Sequence, residues 1–179
     1  DIKSDDGYQF IRADIRNVSE VRALFKEVCP DVVINTSALS VPDFCETHHN
    51  EARATNITAV EHLARACEQY GSRFIHLSTD FVFDGRTDRL YTEEDEPNPV
   101  NYYGITKLEG EERVAECCGN YAIVRVVVVY GKALPGQHGN IVQLVANKLR
   151  SGETIRVVSD QWRTPTFVGD ISYAVEQLM

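Results

Sequence analysis

Asp31-Val-Val-Ile-Asn35 and Phe74-Ile-His-Leu77 decide how this chain folds. A strand with one wet face alternates apolar and polar residues. These runs are apolar nearly throughout, as strands covered on both faces are. Between them Ala54, Ile57, Val60, Ala64 and Cys67 recur at helical spacing, and Gly71 closes that stretch. A strand, a crossover helix and a second strand predict a right-handed βαβ unit with parallel strands.

The same alternation extends outward. Upstream, Tyr8 to Ala13 reads as a strand. Val21, Leu24, Phe25 and Val28 then follow at helical spacing behind an N-cap at Asn17 or Ser19. Downstream, a helix is predicted from about Tyr102 to Cys118, and Ala122 to Val129 is the most apolar strand. Ile141 to Leu149 reads as helix, Thr154 to Val158 as extended chain, and Gly169 to Met179 as a final helix. The expected class is α/β, a doubly wound parallel sheet of Rossmann-like type.

The glycines are scattered, and none forms a GxGxxG turn. Both ends read as cut, with the first β-α-β unit absent. A dinucleotide diphosphate then has no helix N-terminus to sit on, so this chain alone is expected to bind dinucleotide poorly and to be inactive.

Composition excludes some classes. The net charge of −9 comes with no cluster of Lys and Arg, which argues against a nucleic-acid partner. No apolar run approaches a membrane span, and no secretory leader is visible. Glu93, Glu94, Asp95 and Glu96 read as a solvated loop. The five cysteines are odd in number and form no CxxC, which predicts a reducing, cytoplasmic setting with Cys29 and Cys67 in the core. Cys45, His48 and His49 lie close in sequence, but no second ligand pair follows, so no metal is expected.

The chemistry centres on Tyr103-Gly-Ile-Thr-Lys107. Residues i and i+4 share a helix face. An ammonium beside a phenol favours the phenolate and lowers its pKa from ~10, making it a usable acid or base. The competing reading is a solvent-exposed helical pair. Ser78-Thr79-Asp80 ends a strand, where open α/β sheets bind ligands. There the competing reading is a polar strand cap.

Ser78-Thr-Asp-Phe-Val-Phe-Asp-Gly85 followed by Tyr103-Gly-Ile-Thr-Lys-Leu-Glu-Gly-Glu111 closely resembles the dTDP-4-dehydrorhamnose reductase family of extended short-chain dehydrogenases. Pro30 to Asn35 with Thr36, Ser37 and Ala38, then Asp43, Glu46, Asn56, Gly139-Asn140, Asp160-Gln161 and Pro165-Thr166, agree in order and spacing. The resemblance covers essentially the whole chain and implies a partial dinucleotide-binding domain with its catalytic helix in residues 1–130, and part of a substrate-binding region with a returning helix in residues 131–179. It implies Thr79, Tyr103 and Lys107 as a catalytic triad and NADPH or NADH as cofactor. It implies a nucleotide-linked 4-keto deoxysugar as substrate, within rhamnose biosynthesis. Tyr103 would give a proton to the C4 oxygen, Lys107 would hold the nicotinamide ribose, and Thr79 would hold the substrate oxygen. Asp14 and Ile15 would lie near the adenine, and Thr36, Ser37 and Ala38 near ribose and phosphates. Asp80, Asn140 and Arg163 would meet the substrate, Arg163 by gripping its diphosphate.

Each of these last residues has a plainer reading. Asp14 suits a turn, Asn140 suits the cap of the helix from Ile141, and Arg163 suits a loop ion pair. One departure concerns specificity: the family usually carries a tryptophan where this chain has Val128. Two alternatives therefore stand beside the reductase. One is a related NAD-dependent epimerase or dehydratase. The other is a regulatory subunit resembling the methionine adenosyltransferase β subunit, which lacks that tryptophan. A homodimer is compatible with the resemblance.

Overall fold

The computed structural model describes residues 8–132 and 139–179. Among the described residues three strands form one parallel sheet in the order β1-β2-β3: β1 Val32–Asn35, β2 Arg73–Thr79 and β3 Tyr121–Val126. Asn35 lies beside His76 and Thr79 beside Val126, so all three strands point the same way. Helices α1 Val18–Val28, α4 Ala59–Tyr70 and α5 Tyr102–Cys117 follow the predicted stretches. Short helices α2 Pro42–Cys45 and α3 His49–Arg53 lead into a π-helical turn, Ala54–Thr58, before α4. Helices α6 Ile141–Arg150 and α7 Val168–Leu178 complete the described chain.

The apolar runs have the expected physical cause. Side chains alternate between the two faces of a strand. On one face Phe74, Val33 and Ile123 meet Val21 and Phe25 of α1, Val60, Leu63 and Cys67 of α4, and Val114 of α5. On the other face Ile75, Leu77, Val32 and Val124 meet Ile171 and Val175 of α7. Both faces are covered, so neither set of alternate residues needs to be polar. Full burial of each such side chain contributes roughly 1.5–3 kcal/mol.

Local signals behave as read at several ends. The Asn17 side chain accepts from the Ser19 amide at the start of α1. Gly71 ends α4 at φ 71°, a left-handed conformation that costs glycine little.

Three expectations change. Tyr8 to Ala13 forms no strand, because it pairs with no neighbour among the described residues and unpaired extended chain gains no ladder. Thr154 to Val158, read as extended chain, belongs to no helix and pairs with no strand among the described residues, and Val157 and Val158 face solvent. Cys29 is exposed rather than core, because α1 ends there in a left-handed residue that turns it outward. The predicted strand to Val129 stops at Val126, and Val128 takes φ 38°. Positive φ is strained for a β-branched residue and breaks the strand geometry.

Gly110 sets the packing of α5. A Cβ there would meet the Asn56 carbonyl oxygen at 2.4 Å, against the backbone of the π-helical turn. Gly110→Ala is expected to cost about 2–3 kcal/mol, read as a lowered thermal midpoint. An unchanged midpoint would show that the turn yields freely.

Candidate active site

The carboxyl ends of the strands place the site. Thr79 is the last residue of β2, and its Oγ1 accepts from the Phe81 amide at 3.2 Å, starting the 3₁₀ turn Asp80–Val82. Helix α5 begins just beside that turn. Its N-cap Asn101 accepts from the Gly104 amide at 2.8 Å, and Glu46 accepts from the Tyr102 amide at 2.7 Å. Both acceptors satisfy amides that lack helical partners. Gly104 permits the approach, since a Cβ there would lie 2.2 Å from the Phe81 carbonyl oxygen.

Tyr103 is thereby buried, edge-on to Phe81 with ring centroids 5.6 Å apart. Thr79 reaches it through a side-chain hydrogen bond that favours the phenolate. Lys107 follows one turn later on the same buried side, and its Nζ donates to the Leu77 carbonyl at 2.8 Å. The structure therefore brings Thr79, Tyr103 and Lys107 together at the open edge of the sheet. Asn56, fully buried in the π-helical turn, braces the helix behind them. It donates to Thr106 Oγ1 at 3.0 Å and bonds both backbone groups of Leu39.

The electrostatics differ from the sequence expectation. Burial raises the Tyr103 pKa above its ordinary value, and the Thr79 hydrogen bond only partly opposes it. Lys107 does not set the phenol, because its nitrogen is engaged with Leu77 and with His76 Nε2, 3.2 Å away. Tyr103 is thus a neutral phenol at neutral pH. Burial pulls Lys107 down to about 8, with Glu111 acting in the opposite sense. Glu111 is gripped by Arg125 at 2.6–3.2 Å.

A lysine lowered from 10.5 to about 8 has a destabilising effect of about 3 kcal/mol. The unfolded chain binds more protons between those values, so the penalty is complete below 8 and gone above 10.5. Lys107→Met is therefore expected to raise stability by about 1–3 kcal/mol at pH 7. The gain should shrink toward pH 10, measured by thermal unfolding at both pH values. A destabilised variant at pH 7 would contradict this.

Asp14, Ile15, Thr36, Ser37 and Ala38 line one open cleft of about 940 Å³, together with Arg12, Arg16 and Thr55. That cleft is continuous with the triad through hydrogen bonds: Ser37 to Asn35, Asn35 to His76, and His76 to Lys107. Asp14 also makes a local turn. It accepts from the Arg16 amide at 2.9 Å and pairs with its guanidinium at 2.7 Å, which holds the carboxyl down to about 2.

The remaining predicted residues are engaged within the protein. Arg163 ion-pairs with Asp80 and lies 4.5 Å over the Phe81 ring. Asn140 caps α6 by accepting from the Gln143 amide at 3.0 Å, and it donates to the Gly131 carbonyl at 2.7 Å. Cys45 donates to Leu39, His48 stacks on Phe44 and His49 on Tyr102. Among the described residues no three such side chains are arranged to hold a metal, and no helix is long and apolar enough to cross a membrane.

Sequence reading missed Asn35, His76 and the Glu111–Arg125 pair as parts of the site. The available signal was polarity out of place: His76 and Arg125 each interrupt an otherwise apolar strand.

The sheet with helices on both faces makes this a Rossmann-like α/β protein. The chain belongs to the RmlD substrate binding domain family, whose pattern matches residues 4–179. It is 38% identical to a probable low-salt glycan biosynthesis reductase of Haloferax volcanii, over 94% of this chain and 56% of that protein. It is 38% identical to a dTDP-4-dehydrorhamnose reductase of Sinorhizobium fredii, over 90% of this chain and 53% of that one. A methionine adenosyltransferase 2 subunit beta of Danio rerio is 32% identical over 91% of this chain and 50% of its own. The solved dTDP-4-dehydrorhamnose reductase of Bacillus anthracis in complex with NADP superposes with a TM-score of 0.88 at 32% identity, covering 96% of this chain and 60% of that one. The chain spans about half the length of the curated relatives it matches.

Proposed function

We propose that these residues form the catalytic part of an NAD(P)H-dependent reductase acting on the 4-keto group of a nucleotide-linked deoxysugar. The observation that carries this reading is the convergence of a buried phenol, a threonine hydroxyl and a buried lysine where the sheet opens. Reduction of a ketone consumes one hydride and one proton. Tyr103, held as a neutral phenol, is suited to give that proton to the carbonyl oxygen. Thr79 holds the phenol and is placed to share that oxygen. Lys107 keeps donor capacity for a ribose hydroxyl. Arg163 and Asp80, paired beside Phe81, form the substrate-side wall, and Asn140 ties Gly131 to the start of α6.

A reduced nicotinamide dinucleotide supplies the hydride when bound. The residues fit such a group in two places, the cleft at Asp14, Ile15 and Thr36 to Ala38 and the triad itself. No glycine-rich turn occurs in the 179 residues, so the diphosphate is the part they do not cradle.

The test follows nicotinamide absorbance after the protein carrying these residues is mixed with NADPH and a dTDP-4-keto-6-deoxy sugar. Consumption is expected. Product without net consumption would favour an epimerase or dehydratase. No turnover, with tight binding of a methionine adenosyltransferase, would favour the regulatory reading that Val128 and the zebrafish relative suggest.

A further inference from the structure

His76 is the buried titratable group that the mechanism leaves unused. It is fully buried in β2 and contacted at both ring nitrogens. Nδ1 lies 3.0 Å from Asn35 Nδ2, and Nε2 lies 3.2 Å from Lys107 Nζ. The polarity of this chain of bonds is fixed from its far end. The Ser37 amide donates to Asn35 Oδ1 at 3.0 Å. A backbone N–H can only donate, so the Asn35 amide must turn its oxygen to Ser37 and its NH₂ to His76. That NH₂ also can only donate, so Nδ1 carries a lone pair. A neutral imidazole with a bare Nδ1 carries its hydrogen on Nε2, aimed at Lys107.

An ammonium has no lone pair to receive that hydrogen. An amine does: it accepts from Nε2–H, donates to the Leu77 carbonyl, and keeps one N–H for a ligand. We propose that Asn35 is a positioning residue for Lys107, acting through the His76 tautomer it selects. It presents a hydrogen rather than a lone pair to the lysine nitrogen and so favours the amine.

The surroundings of Lys107 divide clearly. From β1 and β2, Asn35 and His76 are uncharged. On its own helix, Tyr103 is a neutral phenol, and Glu111 favours the ammonium. That carboxylate is already bound in bidentate fashion by Arg125 of β3. Burial lowers Lys107 to about 8, in the same direction as the tautomer. Burial and the Lys107 charge lower His76 to about 3, which keeps the ring neutral. Only the catalytic consequence, a lysine that can take up and release a proton beside the phenol, rests on the reductase reading.

The test needs no turnover, so failure of the reductase reading leaves it intact. Long-range ¹H–¹⁵N spectra of the full chain report which nitrogen of each histidine carries the hydrogen, and loss of signals in His76→Gln assigns the ring. Side-chain ¹⁵N spectra follow the Lys107 titration. His76 is expected as the Nε2–H tautomer. Asn35→Asp puts an acceptor oxygen where the NH₂ stood, so His76 should switch to Nδ1–H. The bare Nε2 should then raise the proton affinity of Lys107 by on the order of tenfold or more. His76→Gln can turn its amide oxygen to Lys107 and should raise it as well. An Nδ1–H ring in the unaltered chain overturns the proposal. So does an Asn35→Asp chain that switches tautomer while the Lys107 midpoint stays in place. If circular dichroism shows Asn35→Asp unfolded, the unaltered chain's tautomer and the His76→Gln midpoint decide, and an unmoved midpoint overturns it.

Discussion

Tyr103→Phe is expected to lower turnover by about 10²–10⁴-fold while leaving NADPH affinity within about twofold. The change removes one oxygen from a side chain held on three sides. Phe81 meets the ring edge-on, and Cys45 and Ala52 share its buried cluster. A phenylalanine ring fits the same space, so packing around Lys107 and the cleft is undisturbed. What disappears is the proton donor and its hydrogen bond with Thr79. Steady-state kinetics and cofactor titration on the same preparation separate the two effects. Turnover equal to that of the unaltered protein would remove Tyr103 from the chemistry. An equal loss of cofactor affinity would recast the residue as a binding group.

Lowering the pH from 6.5 toward 3 is expected to remove up to about 5 kcal/mol of stability through His76 alone. Burial, then the Lys107 charge, lower this ring from 6.5 to about 3, and each unit corresponds to 1.36 kcal/mol. Between those values the unfolded chain binds one more proton than the folded chain, so stability falls as pH falls. The contribution is complete above 6.5 and lost as pH drops through about 3. The slope should be about 1.2 kcal/mol per pH unit between pH 6 and 5, where the unfolded ring is mostly protonated and the folded ring is not. Asp14 and Asp84, both held low by hydrogen bonds, add their losses only at more acidic pH. Urea unfolding at half-unit steps measures the slope, and His76→Gln should flatten it. A flat profile between pH 6 and 5 in the unaltered chain would mean that the folded state tolerates a charged ring.

Much of the fold was legible because its signals are local. Apolar runs covered on both faces, the Asn17 cap and the Gly71 stop each depend on a few adjacent residues. Misreadings came where a distant partner decides. Tyr8 to Ala13 has strand composition, yet no described strand lies beside it. Val126 to Val129 is uniformly β-branched, yet Val128 breaks the strand at φ 38°. The candidate site divides in the same way. Tyr103 and Lys107 were found because i,i+4 spacing places them on one helix face, and Thr79 because it ends an apolar strand.

The sequence alone determined the alternation of strands and helices, the covered parallel sheet, and the residues placed where its strands end. Those follow from periodicity and from short-range caps, which act over a few residues. Only the tertiary structure decided the electrical state of the site. It turned Lys107 away from setting the phenol and toward Leu77 and His76. It also paired Arg163 with Asp80 and linked Ser37 to Lys107 through Asn35 and His76. Those outcomes depend on burial and on the direction of hydrogen bonds which, apart from the Ser37–Asn35 link, join residues 30 to 83 positions apart. No local pattern encodes either, because both arise only when separate elements exclude water together.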